Sequence, residues 1–256
     1  MKILAASDFH ILNDCPWKEL ERYLSDVDIV AIAGDLIDRN MPDQISIARA
    51  FLKWCHEDRQ KGIEFVVVAG NNDGWSHGTH NPFVGLPPDD NVHWLEDSGA
   101  TVKGLRFWGT PWIKDKNTED QFARPEAVLR RRFSLIEDGV DVLVSHSTPH
   151  IENSHISGSR KDHKGCDSLA EAIVSKKPKI VFCGHIHAGQ HEPEKLGDSI
   201  VLNVSLYKDK KIRYRLRMVE VVCAGDGRPV FKFSKKDDMK IHRRALKCCD
   251  SIDSFL

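Results

Sequence analysis

The sequence has no surplus of charge of either sign. Its 37 Lys and Arg residues nearly balance 38 Asp and Glu residues, which leaves the 256-residue chain with a formal net charge of -1. A chain so balanced has no overall basic field to attract nucleic acid. Nucleic acid stays open as a partner only through local basic groups, such as Lys235-Lys236 and Arg243-Arg244.

The sequence also lacks the marks of a secreted or membrane protein. No apolar run approaches the roughly 20 residues that a helix needs to span a bilayer, and no signal peptide precedes the first predicted strand, Lys2–Ala6. The 7 cysteines are an odd number without the spacing of a disulfide framework, which is typical of reduced thiols. We therefore expect a cytoplasmic protein that does not enter a membrane.

The first strand is not followed by a G-x-G-x-x-G motif, so a dinucleotide-binding module is poorly supported. Continuous apolar runs instead predict strands buried on both faces, at Lys2–Ala6, Asp28–Ala33 and Glu64–Ala69. Between them, helical patterns begin at Pro16 and extend over Pro42–Gln60. This β-α-β-α-β order predicts a parallel or mixed sheet with crossover helices.

The rest of the chain adds shorter strands and two more helices. Antiparallel strands are predicted at Val92–Leu95, Thr101–Lys103 and Leu105–Gly109. Helices are predicted over Thr118–Ile136 and Ser168–Lys176, and further strands over Asp141–Ser145, Lys179–Cys183, Ser199–Ser205, Lys211–Val222 and Pro229–Phe233. We expect one α/β domain over residues 1–234, with two packed sheets and helices outside. Residues 235–256 form a charged tail, interpreted either as a peripheral helix or as a solvated terminus.

Seven side chains that suit metal binding occur in short blocks, nearly all of which follow an apolar run. They are two carboxylates, one amide and four imidazoles: Asp8, His10, Asp35, Asn71, His146, His185 and His187. This mixture of nitrogen and oxygen donors suits a pair of divalent transition-metal ions. Two such ions a few ångströms apart can hold both the attacking and the leaving oxygen of a phosphoryl displacement.

In chain order these blocks are D-x-H, G-D-x-x-D, G-N-x-D, a lone His after a strand, and G-H-x-H. They resemble the motifs of the calcineurin-like metallophosphoesterase superfamily, and the resemblance runs from Lys2 to about Ser205. Three shorter segments are similar to a subgroup of metallophosphoesterase-domain proteins: Gly109–Trp112, Gly165–Leu169 and Asn203–Ser205. The resemblance implies an αββα sandwich of two packed mixed β-sheets flanked by helices.

The resemblance also implies how the seven ligands divide between two metals. Asp8, His10, Asp35 and His187 would hold the first ion, and Asp35, Asn71, His146 and His185 the second, with Asp35 as the bridge. A metal-bridging hydroxide would then attack the phosphorus of a phosphoester. Mn²⁺ is the ion we expect, and Fe, Zn, Co or Ni also suit this ligand set.

One position departs from the superfamily pattern. Many members have a histidine after the G-N pair that assists catalysis, whereas this chain has Asn72, which cannot act as a general acid. That difference favours a phosphodiesterase acting on a small or nucleotide diester. A phosphomonoesterase, a phosphoprotein phosphatase and a non-catalytic scaffold remain alternatives.

Further candidates surround the predicted ligands. Asp38 and Asp73 are candidates to orient an imidazole or a loop, although cap or turn roles fit them equally well. His80 and His150 lie in polar stretches near the motifs, and either histidine is a candidate proton donor in place of Asn72.

Overall fold

The strands and helices form where the apolar runs of the sequence lie. The computed structural model describes residues 1–10, 17, 20–41, 43–58, 62–74, 90–114, 121–151, 165–187, 192–208, 211–212, 215–225, 228–233 and 239–240. The strands are β1 (Lys2–Ala6), β2 (Ile29–Ala33), β3 (Glu64–Val68), β4 (Val92–Trp94), β5 (Ser98–Val102), β6 (Leu105–Thr110), β7 (Ile113–Lys114), β8 (Ala123–Arg124), β9 (Val142–Ser145), β10 (Ile180–Cys183), β11 (Glu194–Leu196), β12 (Ser199–Asn203), β13 (Tyr207–Lys208), β14 (Lys211–Ile212), β15 (Arg215–Cys223), β16 (Pro229–Phe233) and β17 (Met239–Lys240). The helices are α1 (Glu21–Leu24), α2 (Gln44–Asp58), α3 (Glu126–Phe133) and α4 (Asp167–Lys176).

Two mixed sheets contain most of the strands. In the first sheet the order is β16-β15-β1-β2-β3-β4, and β17 pairs with β15. Its strands β1 to β4 are parallel, while β15 pairs antiparallel with both of its neighbours, β1 and β16. In the second sheet the order is β11-β12-β10-β9-β6-β5, with four parallel central strands between antiparallel edges.

Three apolar clusters fill the space between the layers. The inner faces of the two sheets meet in one cluster, where Ile3 and Val66 of the first sheet join Phe107 and Phe182 of the second. The outer face of the first sheet packs against α1 and α2, and that of the second against α3 and α4. The expected α/β fold, an αββα sandwich of two packed mixed sheets flanked by helices, is therefore confirmed.

Two of the expected elements differ from those observed. The helix predicted over Thr118–Ile136 is wrong in its first part, since strand β8 occupies 123–124 and α3 begins only at Glu126. Pro125 precedes this helix in an extended conformation with ψ 154°, because proline inside a helix loses a hydrogen bond and clashes with the preceding turn. Strand β4 runs parallel to β3 rather than antiparallel, since the long connection before it permits a crossover.

The described part of the C-terminal tail is a strand. Met239 and Lys240 pair antiparallel with Leu216 and Arg215 of β15. At these two residues the tail extends the first sheet and is not helical, while the domain boundary after residue 234 stays a prediction. Among the described residues, no helix combines the length and the apolar character that crossing a bilayer requires.

Candidate metal centre

The seven predicted ligands come together where parallel strands of both sheets end. Asp8 and His10 follow β1, Asp35 follows β2, and Asn71 follows β3 in the first sheet, whereas His146 follows β9 and the two remaining histidines follow β10 in the second. Ser7 joins the two layers here, because its backbone N–H donates to the carbonyl of Val204 beyond β12. The carboxyl ends of parallel strands are the usual place for a ligand site in such sheets.

One group of donors contains Asp8, His10 and His187. Their ligand atoms all lie within 4.8 Å of one another. The Nε2 atom of His187 is 3.2 Å from Oδ1 of Asp8 and 3.1 Å from Nε2 of His10. Two imidazole nitrogens facing each other beside a carboxylate form the kind of donor cluster that binds a transition-metal ion.

A second group contains Asp8, Asp35 and His146, again with ligand atoms within 4.8 Å of one another. The Nε2 atom of His146 lies 3.4 Å from Oδ2 of Asp35 and 3.0 Å from Oδ1 of Asn71. The same Asn71 oxygen lies 3.0 Å from Nδ1 of His185. Asp35 Oδ2 is also 3.7 Å from Nε2 of His10 in the first group. Asp8 belongs to both groups, and Asp35 of the second group also approaches His10 of the first. The bridging role of Asp35 stays a prediction.

The two carboxylates of the site are almost completely buried. Asp8 and Asp35 are each 1% exposed. Burial would raise the pKa of Asp8, but the hydrogen bond from His187 and the charges of His187 and His146 outweigh it and lower that pKa to about 2. Burial is likewise outweighed at Asp35, where the charge and hydrogen bond of His146 lower the pKa further. The site thus holds two buried negative charges, which is costly unless positive charge compensates them.

The imidazoles of the site differ in how readily they carry positive charge. Burial alone would lower the pKa of His146, but the charge and hydrogen bond of Asp35 outweigh burial and raise that pKa to about 9. Burial and the charge of His146 lower the pKa of His185 to about 4. Nδ1 of His146 lies 2.8 Å from the carbonyl oxygen of Ala33, and donation there directs Nε2 toward Asp35 and Asn71. Metal-binding histidines are usually oriented in this way, and a metal displaces the proton from the coordinating nitrogen. The donor set fits divalent ions.

Backbone strain is concentrated at the same residues. Four of the seven predicted ligands have a left-handed backbone although none is glycine: Asp8 (φ 59°), His10 (φ 45°), Asp35 (φ 52°) and His185 (φ 68°). Such conformations cost on the order of 1–3 kcal/mol each and cluster at functional sites. The strands therefore end in tight turns that direct these side chains into one place.

Gly184 is required by the close approach of the two sheets. A Cβ atom at this position would collide with Oγ of Ser7 and with Oδ2 of Asp8. Its backbone N–H donates to the carbonyl of His146, 3.2 Å away. The absence of a side chain thus lets the G-H-x-H turn pack directly on the D-x-H block.

The two predicted positioning aspartates have different surroundings. Asp73 is fully buried, and its carboxylate accepts the backbone N–H groups of Leu36, Ile37 and Gly70. Burial and the charge of Asp35 raise the pKa of Asp73 to about 7, although the hydrogen bonds from these N–H groups act to lower it. Asp73 therefore joins the loops after β2 and β3.

Asp38 lies at the outer side of the first donor group. Its Oδ2 atom is 3.8 Å from Nδ1 of His10, and its Oδ1 atom accepts the backbone and side-chain N–H groups of Asn40. The position suits an orienting contact to the His10 imidazole, and the bonds to Asn40 are also those of a turn. Both interpretations of Asp38 drawn from the sequence fit this geometry.

Asn72 contacts the predicted bridging carboxylate directly. Its backbone N–H donates to Oδ1 of Asp35 at 2.7 Å and its side-chain amide to Oδ2 at 2.6 Å. Its own side-chain oxygen accepts Nε of Arg39 at 2.7 Å. The sequence did not predict these contacts, because no local signal joins positions that lie 33 and 37 residues apart.

The two predicted loop histidines have different outcomes. His80 lies outside the described residues. His150 is described, and its Nδ1 atom lies 2.6 Å from Oδ1 of Asp167 at the start of α4. Asp167 belongs to the segment Gly165–Leu169, which resembles a subgroup of metallophosphoesterase-domain proteins. The contact between His150 and Asp167 was not predicted from the sequence.

Comparison with known proteins finds relatives of this chain in sequence. Metallophosphoesterase domain-containing protein 1 from Homo sapiens is 31% identical over 101 residues, covering 39% of this chain and 30% of that protein. UPF0046 protein T07D4.2 from Caenorhabditis elegans is 26% identical over 150 residues, covering 58% of this chain and 32% of that protein. The chain thus spans about a third of the length of these curated relatives.

A solved structure and a family model extend the comparison over most of the chain. A dimetal phosphatase from Danio rerio superposes with a TM-score of 0.53 and 12% identity, covering 86% of this chain and 92% of that chain. At this identity the likeness establishes the fold alone. The model of the calcineurin-like phosphoesterase family matches residues 1–189, which contain all seven predicted ligands. The chain belongs to the calcineurin-like phosphoesterase family.

Proposed function

We propose that this chain is a dinuclear metal-dependent phosphoesterase that hydrolyses a small or nucleotide phosphodiester. The observation that supports it most is the convergence of four imidazoles and one amide on two buried carboxylates whose charges need a cation. Bound divalent ions would supply an acidified water nucleophile and positive charge for the phosphoryl oxygens. Mn²⁺ is the ion proposed, with Fe, Zn, Co or Ni as alternatives.

The residues of the chain have distinct tasks in this proposal. Asp8, His10, Asp35 and His187 hold one ion, while Asp35, Asn71, His146 and His185 hold the other. Asp73 fixes the two loops that carry Asp35 and Asn71. Asn72 fixes the rotamer of Asp35 through a side-chain hydrogen bond. Because that amide is engaged by Asp35 and lacks a titratable proton, it positions the bridge and does not transfer a proton.

A phosphomonoesterase or phosphoprotein phosphatase of the same fold is the second candidate. The Danio rerio neighbour described as a dimetal phosphatase favours it, although that likeness extends only to the fold. The composition of the donor set does not separate the two classes. We favour the diesterase because Asn72 replaces the histidine of the superfamily pattern.

The cellular setting proposed is the cytoplasm. Cys55, Cys166 and Cys183 are buried free thiols. Burial raises the pKa of Cys166 and of Cys183 to about 12, so both thiols stay protonated. Protonated, buried thiols pack as small apolar side chains and suit a reducing compartment.

A metal-reconstituted activity screen tests the proposed function. The chelated protein is loaded with Mn²⁺ and offered 4-nitrophenyl phosphate, bis(4-nitrophenyl) phosphate and cyclic nucleotides. We expect the diester to be hydrolysed with a higher kcat/KM than the monoester, and chelation to abolish both rates. Asp35→Ala, purified identically, should lose metal and activity together, because one carboxylate contacts both donor groups. A clear preference for the monoester would assign a phosphatase, and an active Asp35→Ala protein with full metal content would refute the bridge.

A further inference from the structure

The loop after His146 is fixed tightly against the metal centre. The hydroxyl of Thr148 donates to the carbonyl oxygen of Gly184, the residue directly before the predicted ligand His185. Thr148 is 1% exposed. The chain that leaves β9 therefore crosses the G-H-x-H turn in a defined position.

The next residues form a short parallel bridge with the segment before α4. The backbone N–H of Cys166 donates to the carbonyl of Thr148 at 2.9 Å, and that of His150 donates to the carbonyl of Cys166 at 3.1 Å. Pro149 and Cys166 are the bridged pair. A Cβ atom on Gly165, whose φ is +77°, would lie 2.6 Å from the carbonyl oxygen of Pro149. Glycine is thus needed for this close approach.

The bridge determines the direction of the side chains. Alternate residues of an extended segment face the same side, so Thr148 and His150 share one face while Pro149 faces the other. Thr148 already contacts the G-H-x-H turn on that face. His150 follows two residues further on, about 7 Å along the extended chain. Its imidazole therefore lies on the same face of this segment as the Thr148 hydroxyl, which contacts the residue before the predicted ligand His185.

Asp167 determines the orientation of that imidazole. Its Oδ1 atom is 2.6 Å from Nδ1 of His150, and its Oδ2 atom accepts Nζ of Lys114 at 3.1 Å. Lys114 also pairs with Glu126 at 2.9 Å. Burial alone would raise the pKa of Asp167, but the hydrogen bonds from His150 and Lys114 outweigh burial and lower that pKa. The carboxylate is therefore ionised. An ionised acceptor at Nδ1 leaves Nε2 as the nitrogen that can meet a substrate.

We propose that His150, oriented by Asp167, donates the proton to the departing oxygen of the phosphoester. The inference rests on the proposed function. As the bond from phosphorus to the leaving oxygen breaks, its electron pair goes to that oxygen. The proton on Nε2 of the imidazolium passes to the same oxygen, which leaves as an alcohol or phenol. The neutral imidazole keeps its Nδ1–H bond to Asp167 and takes a new proton from solvent. His150 thus supplies the donor that Asn72 cannot.

The test compares two esters that differ only in the acidity of their leaving group. Methyl 4-nitrophenyl phosphate releases a stable phenolate without help, whereas methyl phenyl phosphate needs a proton donor. We expect His150→Ala to lower the rate for the phenyl ester by ~10²–10⁴-fold and that for the nitrophenyl ester far less. Asp167→Asn should change the ratio in the same direction by a smaller factor. Because both rates come from one sample, their ratio does not depend on the folded fraction.

A matched pair elsewhere in the fold provides the control. Nε2 of His93 lies 2.9 Å from Oε2 of Glu64, which makes another histidine–carboxylate pair. Glu64 begins β3, whereas Asn71 follows the other end of that strand. His93→Ala and Glu64→Gln should leave the ratio of the two rates unchanged. A readout independent of activity is the ¹⁵N signal of the His150 ring, which Asp167→Asn should shift while metal content stays constant.

The outcomes separate this inference from the proposed function. Equal losses for both esters in His150→Ala, or no loss, would overturn the role of His150 while leaving a phosphodiesterase in place. An unshifted His150 ring signal in Asp167→Asn would overturn the role of Asp167. If metal-loaded wild-type protein hydrolysed neither ester, the proposed function would fail and the role of His150 with it.

Discussion

At the scale of single residues, Asn72 links the carboxylate of Asp35, the predicted bridging ligand, to the guanidinium of Arg39. It donates to both oxygens of Asp35 and accepts from Arg39, so it limits the rotation of the Asp35 side chain. Residues that orient metal ligands in this way typically contribute 10–100-fold to metal affinity. We therefore propose that Asn72 acts by holding the Asp35 carboxylate in position for metal binding.

Replacing this amide should weaken metal binding and leave the fold intact. In Asn72→Ala the backbone N–H bond to Asp35 remains, but the side-chain bond is lost. We expect metal affinity to fall by ~10–100-fold, measured by competition with a calibrated chelator. Ser46→Ala, which removes a hydroxyl from the exposed Asp43–Ser46 bond, serves as the control. Unchanged affinity in Asn72→Ala would show that Asp35 needs no such support.

Single residues also show where sequence reasoning succeeds and where it stops. The seven predicted ligands could be named because each follows a strand-forming run in a recognisable short block. The contacts of Arg39 with Asn72 and of Asp167 with His150 could not, because they join separate loops whose approach depends on tertiary packing. Short motifs identify the candidate ligand side chains, whereas tertiary packing determines which of these side chains contact one another.

At the scale of elements, the turns at the strand ends are the most constrained parts of the site. Sequence periodicity located most strands and α2, since continuous burial and helical spacing are strong signals. It failed at Thr118–Ile136, where the left-handed Phe122 (φ 61°) precedes strand β8 and Pro125 separates that strand from a shorter helix. Local backbone geometry overrode the apolar spacing there.

The turn after β10 offers a test at this scale. Gly184→Ala would place a methyl group against Ser7 and Asp8, so the turn carrying His185 and His187 must move away from the first sheet. We expect lower metal occupancy and a reduced Tm, measured by metal analysis and thermal unfolding. Gly225→Ala, where an added Cβ meets no atom within 4 Å, should change neither quantity. Normal metal content in Gly184→Ala would mean that the turn adapts at little cost.

At the scale of the whole molecule, the candidate metal centre lies where the two sheets meet. Four predicted ligands come from the first sheet and three from the second, all beyond the inner apolar cluster. Metal bound between them would act as a crosslink, and a ligand that binds only the folded state stabilises it by RT ln(1 + [L]/Kd). We therefore expect the packing of the sheets and the binding of metal to be thermodynamically coupled.

Chelation should lower the thermal stability of the whole domain. At a free Mn²⁺ concentration of about 100 times Kd, one site contributes about 2.7 kcal/mol of stability, which removal of the metal would abolish. We expect Tm to rise with Mn²⁺ concentration in wild-type protein and to be independent of it in Asp35→Ala. Equal Mn²⁺ dependence in the two proteins would indicate that the ion binds elsewhere.

The division of the ligands between the sheets also has a consequence for synthesis on the ribosome. Asp8, His10, Asp35 and Asn71 leave the ribosome early, whereas His146, His185 and His187 emerge only after the second sheet has begun to form. Until then the nascent chain carries both carboxylates without the histidines that later neutralise them. The donor cluster can therefore be complete only after the chain has been synthesised through His187.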